Sequence, residues 1–255
     1  IATGSSPLKP PIPGIHSSHI YTLWTVPDTD AIKEVIQKEV PKSAAVIGGG
    51  FIGLEMAENL KKAGIDVTII EMMDQVMAPV DYEMAQLLHE NIRANQVELI
   101  LKDGVESFQE VNDQTVIHLK SGKIVTTDMV LLSIGVRPNS SLAKEAGLKV
   151  NARGGIVVDE FLQTSDEHIY AVGDVIEVAH YISDSKTMIP LAGPANKQAR
   201  ICADNITGAR VAYKGSMGTS AAQIFDLTAA AVGLNEKSLK ASGKQKGKDY
   251  ETILI

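Results

Sequence analysis

Apolar and polar positions alternate along the chain in two rhythms. Short runs with apolar interiors, Ser43–Ile47, Asp66–Glu71 and Met129–Ile134, have the length and β-branched content of strands buried on both faces. Between them, apolar residues return every three or four positions, as along one face of a helix. Ala31, Ile32, Val35 and Ile36 form such a stripe, with Asp28 or Thr29 as its cap and Pro41 as its stop. Phe51–Ala63 is a second helix and Tyr82–Asn95 a third, with Met84, Leu87, Leu88 and Ile92 on its apolar side. Val97–Leu101 follows as a strand, then Val105–Ile124 as short β runs with a hairpin turn at Ser121-Gly122. Leu142–Ala146 reads as a short helix ended by Gly147. Further on, Ile156–Val158 and Ile169–Val172 have strand character, Pro190–Pro194 is a loop, and Ala195–Ile206 is a helix. The strand, helix and strand over residues 43–71 make a βαβ unit, whose right-handed crossover predicts a doubly wound parallel sheet.

Chemistry gathers at the first strand-to-helix junction. Gly48, Gly50 and Gly53 have G-x-G-x-x-G spacing, placed where the run Ser43–Ile47 ends and the helical pattern begins. The first glycine permits a tight turn, the second lets a diphosphate approach the backbone, and the third lets helix and strand pack closely. The helix start adds free N–H groups and a positive dipole end. Glu71 closes the next strand at the offset of an acid that binds both hydroxyls of an adenosine ribose. Its charge repels a 2′-phosphate, and Met72-Met73-Asp74 offer no arginine to receive one, so NADH is expected over NADPH.

Bulk properties narrow the picture. With 44% hydrophobic and 22% charged residues the chain has a globular composition. A net charge of −7 without a dense basic stripe argues against nucleic acid or an anionic membrane surface as partner. The longest apolar stretch, Ala44–Ala57, is broken by glycines and Glu55, too early to span a bilayer. The single cysteine, Cys202, excludes an internal disulfide and fits a reducing compartment, so a cytoplasmic location is expected. Six scattered histidines have no metal-ligand spacing, and no metal site is expected. Ile1-Ala2-Thr3-Gly4 looks like a strand end without a signal sequence, so the chain is expected to be an excised piece of a longer protein.

Four motifs, taken together, carry a resemblance. Ala2-Thr3-Gly4-Ser5-Ser6-Pro7, Gly48–Glu55, Ile134-Gly135-Val136-Arg137-Pro138-Asn139, and Thr164-Ser165 with Ile169–Asp174 follow one another in the order found in the flavin-dependent pyridine nucleotide–disulfide oxidoreductases, the glutathione-reductase-like superfamily. Gln75–Asp81 and Ile189–Asn196 are similar to the branch of coenzyme A-disulfide, polysulfide and persulfide reductases. The resemblance implies an α/β fold with a Rossmann-type NAD domain and β-meander, inserted in an incomplete FAD domain and followed by the start of an α+β dimerisation domain. Residues 1–14 would end the first part of the FAD domain, 15–150 form the NAD domain, 151–212 the second FAD part, and 213–255 the opening of the dimerisation domain.

The same resemblance assigns roles. Gly48, Gly50, Phe51, Ile52, Gly53, Glu55, Glu71 and Gly135 would bind NAD, with Phe51 either an aromatic cover for the nicotinamide pocket or simply a core ring. Ala2, Thr3, Gly4, Gly173, Asp174, Leu191, Ala192, Gly193 and Ala195 would bind FAD, Asp174 through a ribityl hydroxyl and the last four at a helix start facing the flavin. The redox-active cysteine of the family would lie upstream. Cys202 matches no such position and reads as a buried structural thiol, leaving no catalytic residue in this chain. The function implied is hydride transfer from NADH to FAD and on to a cysteine-linked disulfide, persulfide or polysulfide, in a homodimer. Two alternatives stay open: an NADH oxidase or peroxidase of the same class, and a nucleotide-binding module without turnover.

Overall fold

The structure, a computed structural model, describes residues 1–255. The chain starts with β1 (Ser5–Pro7), β2 (Ile20–Tyr21) and α1 (Val26–Lys38). It then alternates through β3 (Ser43–Ile47), α2 (Phe51–Lys62), β4 (Asp66–Ile70), α3 (Tyr82–Ala94) and β5 (Glu98–Ile100). An antiparallel meander of β6 (Val105–Val111), β7 (Gln114–Leu119) and β8 (Ile124–Thr127) leads back to β9 (Met129–Leu132). Strands β2, β9, β3, β4 and β5 hydrogen-bond in that order, all neighbours parallel, with Ile47 opposite both Ile70 and Leu132.

Successive side chains of a strand point to opposite faces, and here both faces are covered. Ala44, Val46, Ile69 and Leu131 join a core with Ile32 of α1, Leu54 and Leu60 of α2, and Leu88 and Ile92 of α3. Ala45, Ile47, Ile70, Val130 and Leu132 face Phe108, Ile117 and Leu119 of the meander. This explains the unbroken apolar runs. It also corrects the expectation of a doubly wound sheet. Helices α1, α2 and α3 share one face, and the meander takes the place of helices on the other.

Several element boundaries move for local reasons. Helix α1 begins at Val26, capped by Thr25, whose side chain and Asp28 form a reciprocal capping box. Asp28 is therefore the third residue of the helix, not its cap. On α3 the buried stripe is Ala85, Leu88, His89 and Ile92, while Met84 and Leu87 are exposed. The Asp74–Val80 segment presents polar backbone there, and a histidine can satisfy it where an aliphatic side chain cannot.

After β10 (Val136–Pro138) and α4 (Ser141–Glu145), a smaller sheet forms from β11 (Ile156–Val157), β12 (Ile176–Ala179) and β13 (Lys186–Thr187). The expected strand Ile169–Val172 makes only an isolated bridge, Gln163 with Tyr170, and Val172 N–H donates to Ile1 O at 3.0 Å. Helix α5 (Ala192–Ile206) starts three residues earlier than expected, since Ala192 and Gly193 already turn with it. The hairpin of β14 (Ser220–Ile224) and β15 (Leu227–Ala231) packs on α2 and α3, and Ala222, Ile224, Phe225 and Ala229 enter the same core as Leu54 and Leu60. Helix α6 (Glu236–Ala241) follows. No helix is long and apolar enough to cross a membrane.

Candidate nucleotide-binding site

The glycine loop lies at the carboxyl edge of β3, where open α/β sheets bind ligands. Gly48 has φ +106°, and a Cβ there would sit 2.5 Å from Ser133 O. A Cβ on Gly53 would sit 2.0 Å from Gly48 O and 2.7 Å from Ser133 Oγ. Ser133 Oγ donates to Ile47 O at 3.0 Å and Gly48 O at 3.2 Å, so the end of β9 braces the turn. Both glycines are required by the protein's own packing. Gly50 differs: nothing lies within 4 Å of where its Cβ would be. That open cradle sits at the N-cap of α2, which has no side-chain cap, so the first-turn N–H groups lack intrahelical partners. The features suit a diphosphate, which the backbone of Gly50, Phe51, Ile52 and Gly53 would face.

Glu71 is aimed at this loop. Its Oε2 accepts Gly49 N–H at 2.7 Å and its Oε1 accepts Met73 N–H at 2.8 Å. A carboxylate has about four lone-pair sites, so each oxygen can still accept a ribose hydroxyl. Met72 and Met73 beside it are exposed. The stem of Lys120 runs past Gly104 alongside Met72, a cation that sequence spacing alone did not bring to this region. Gly135, with φ +108° and open space around it, lies two residues past Ser133 on the neighbouring strand end. Phe51 is half-buried against the helix-side core, and Glu55 is exposed.

A second cluster forms where sequence-distant motifs meet. Strand β1 pairs antiparallel with β10, and Asn139 ties them together: it accepts at O from Thr3 Oγ1 at 2.6 Å and at Oδ1 from Ser6 Oγ at 2.8 Å, and donates to Gly4 O and Thr3 O. Ser5 Oγ donates to Asp174 Oδ2 at 3.0 Å, and Gly173 N–H donates to the buried Gln198 Oε1 at 2.8 Å. A Cβ on Gly173 would lie 4.0 Å from Ala195 Cβ, so the Gly173-Asp174 turn touches the first turn of α5. Ala2, Thr3 and Gly4, the 173–174 turn and Leu191, Ala192, Gly193 and Ala195 thus come to one place. The start of α5 has no side-chain cap and open space at Gly193, and Asp174 Oδ1 has no partner. These features fit one wall of a flavin nucleotide site.

Cys202 is buried in a third core with Tyr213 and Val175, and burial pushes its thiol above the ordinary range. That is the opposite of an activated nucleophile. Two cavities lie away from the glycine loop, the second of them reaching Ala2 at the edge of the flavin-side cluster. One, of about 600 Å³, is polar and bounded by His19, Lys42 and Asp128, whose carboxylate is already engaged by Lys42 N–H, Ser43 N–H and Oγ, and Gln114 Nε2. The other, about 560 Å³, is apolar and lies between Ile1, Tyr170, Cys202 and Ile206. No three His, Cys, Asp or Glu side chains are gathered as metal ligands.

Glycine loop, strand-end acid, parallel sheet and meander together define an α/β fold of Rossmann type, joined at Ser5–Asp174 to a smaller sheet. The sequence matches the family described as pyridine nucleotide-disulphide oxidoreductase over residues 1–199, more than half of 255, and the chain belongs to that family. The crystal structure of reduced CoADR-RHD from Bacillus anthracis is 52% identical, with a TM-score of 0.92, covering 96% of this chain and 44% of that one. An NAD-dependent persulfide reductase from A. fulgidus is 41% identical, also with a TM-score of 0.92, covering 95% and 45%. An NADH oxidase of Methanocaldococcus jannaschii is 35% identical over 92% of this chain and 52% of that protein. The chain spans about half the length of the curated relatives it matches.

Sequence reading found the glycines and Glu71 because each serves a single backbone function at a fixed spacing. It named Asn139 and Gln75–Asp81 only as parts of motifs, and missed the brace from Ser133, the bonds of Asn139 to the β1 segment and the Val76–Met77 contact with Gly49. Those are side-chain and loop contacts between segments far apart in the chain, and no spacing rule encodes them.

Proposed function

We propose that the chain binds NADH at the glycine loop and, within a longer polypeptide, serves a flavoprotein reductase of cysteine-linked disulfides, persulfides or polysulfides. The observation that carries this is the grip of Glu71 on Gly49 N–H at 2.7 Å beside the open cradle of Gly50. The carboxylate is pre-oriented to accept two ribose hydroxyls, while the α2 start receives the diphosphate. A bound nicotinamide supplies a hydride and a bound flavin accepts it. The chain's own part is to hold each: Gly135 gives room near the centre of the dinucleotide, and Asp174 with Leu191, Ala192, Gly193 and Ala195 offers polar and dipolar contacts to a flavin nucleotide. The likeness to the NAD-dependent persulfide reductase of A. fulgidus supports the sulfur substrate. NADH preference is supported by the negative charge of Glu71 and the uncharged Met72 and Met73.

The boundaries 1–14, 15–150, 151–212 and 213–255 remain our proposed division, and a cytoplasmic homodimer our proposed setting. A second reading, transfer of electrons from NADH to oxygen, is favoured by the M. jannaschii relative named NADH oxidase. Calorimetric titration of the chain with NADH and NADPH tests the binding proposal. Saturable binding of NADH, weaker for NADPH, is the expected result. No binding of either overturns it.

A further inference from the structure

The glycine loop is not held by β3 and α2 alone. Met77 N–H donates to Gly49 O at 2.9 Å, and a Cβ on Gly49 would lie 2.7 Å from Val76 Cγ1. The segment Asp74–Asp81 is therefore a wall of the loop. Helix α3 pins it from within: Val76 N–H donates to Nε2 of His89 at 3.2 Å, and His89 Nδ1 meets Gln86 Oε1 at 3.3 Å. Nε2 must accept, so the ring is neutral with its proton on Nδ1, facing Gln86. His89 is 1% exposed. Gln75 Nε2 donates to Val80 O at 3.0 Å from the same side. From outside, Lys237 Nζ donates to that same Val80 O at 2.8 Å, Asn235 Nδ2 donates to Ala78 O at 3.0 Å, and Asp81 accepts Glu236 N–H at 2.9 Å.

We propose that His89 is a positioning residue for the dinucleotide loop: as a neutral imidazole it holds Asp74–Asp81 against Gly49, and its protonation releases that segment and weakens dinucleotide binding. The proposal rests on the nucleotide-binding reading above. An imidazolium carries N–H on both nitrogens, so Nε2–H would face Val76 N–H donor to donor. Burial, then the charge of Arg93 one turn along α3, hold the ring below its ordinary range, against a smaller pull from Asp74. Lys237, on the outer side, faces Asp81 and Asp74. Release therefore falls on the acid side of about pH 6.5.

The test uses ADP-ribose, which carries the adenosine, diphosphate and ribose without an acid-labile nicotinamide. Its affinity for the whole chain is measured by calorimetry from about pH 8 to about pH 4.5, reaching below the ordinary histidine range. His89→Gln is measured alongside, because its Oε1 can accept Val76 N–H at every pH. The wild-type affinity is expected to fall about fivefold across this range, the loss of one hydrogen bond, while His89→Gln binds and stays flat. The same pH dependence in both proteins, or none in the wild type, overturns the proposal. Should His89→Gln not fold, amide exchange of Val76 and Met77 in the wild type replaces it, corrected for intrinsic rates. Protection must drop in step with affinity, and constant protection overturns the proposal. A wild type that binds no ADP-ribose at about pH 8 fails differently: it overturns the nucleotide-binding reading itself, and this proposal with it.

Discussion

Glu58 Oε2 accepts the N–H of Phe225 at 2.8 Å, joining residues 167 positions apart. The acid sits on the buried side of α2, and its other oxygen pairs with Lys62. Phe225 occupies the two-residue turn between β14 and β15 with φ +52°, a conformation an aromatic residue rarely adopts. Its ring is nevertheless buried in the core shared by the helices, and Glu58 satisfies the N–H that this burial would otherwise strand. The β14–β15 hairpin is thus bound to the helix-covered face of the parallel sheet by a buried polar contact and a shared apolar face.

Replacing Glu58 with Ala leaves Phe225 N–H buried without a partner. The expected loss is about 1–3 kcal/mol, the cost of an unsatisfied buried donor. Urea unfolding measures it. An unchanged midpoint would mean that the hairpin's place does not depend on this bond.

Stability is expected to fall with acid in two windows. The His89 imidazole is held below its ordinary range, so the unfolded chain binds more protons just below about pH 6.5 and stability declines there. Burial pushes the Glu58 and Asp128 carboxyls up, but the hydrogen bonds they accept outweigh it and hold them below their ordinary values. Their contribution is complete above about pH 4.5 and lost as pH falls through the folded values. Calorimetric melting across pH should resolve both declines, and His89→Gln should remove only the upper one.

Two glycines of one motif should separate binding from folding. Gly50→Leu meets open space and an allowed backbone conformation, so the chain folds while diphosphate binding is lost. Gly53→Ala sets a Cβ 2.0 Å from Gly48 O and should cost stability first. Circular dichroism with NADH titration reads both. Equal destabilisation by the two substitutions contradicts the geometry.

Removing the carboxylate in Glu71→Ala should weaken NADH binding about a hundredfold or more, through two lost charge-assisted hydrogen bonds at about 1.5 kcal/mol or more each, and narrow the gap to NADPH. Calorimetry with both nucleotides decides. Unchanged NADH affinity removes Glu71 from the ribose contact.

Cys202 should react slowly with a thiol reagent in the folded chain and fully after denaturation, because burial raises its thiol. Rapid reaction in the folded state would contradict a structural role.

Spacing alone determined the βαβ unit, the glycine turn and the acid at the end of β4. Each rests on a short-range rule: a φ only glycine accepts easily, a missing Cβ, or a strand apolar on both sides. The apolar stripe of α3 was misplaced because hydrophobicity counts Met84 and Leu87 but cannot foresee that His89 turns inward to a backbone N–H. Only the tertiary structure decided that the 74–81 segment walls the glycine loop, that Asn139 knits β1 to β10, and that Glu58 receives the turn of a hairpin far along the chain. These are contacts between groups that do not share a local period. Where they are buried, as at Val76 with His89 and at Phe225 with Glu58, their energy depends on burial having removed water from both partners, and no local pattern in the chain records which partner will be there.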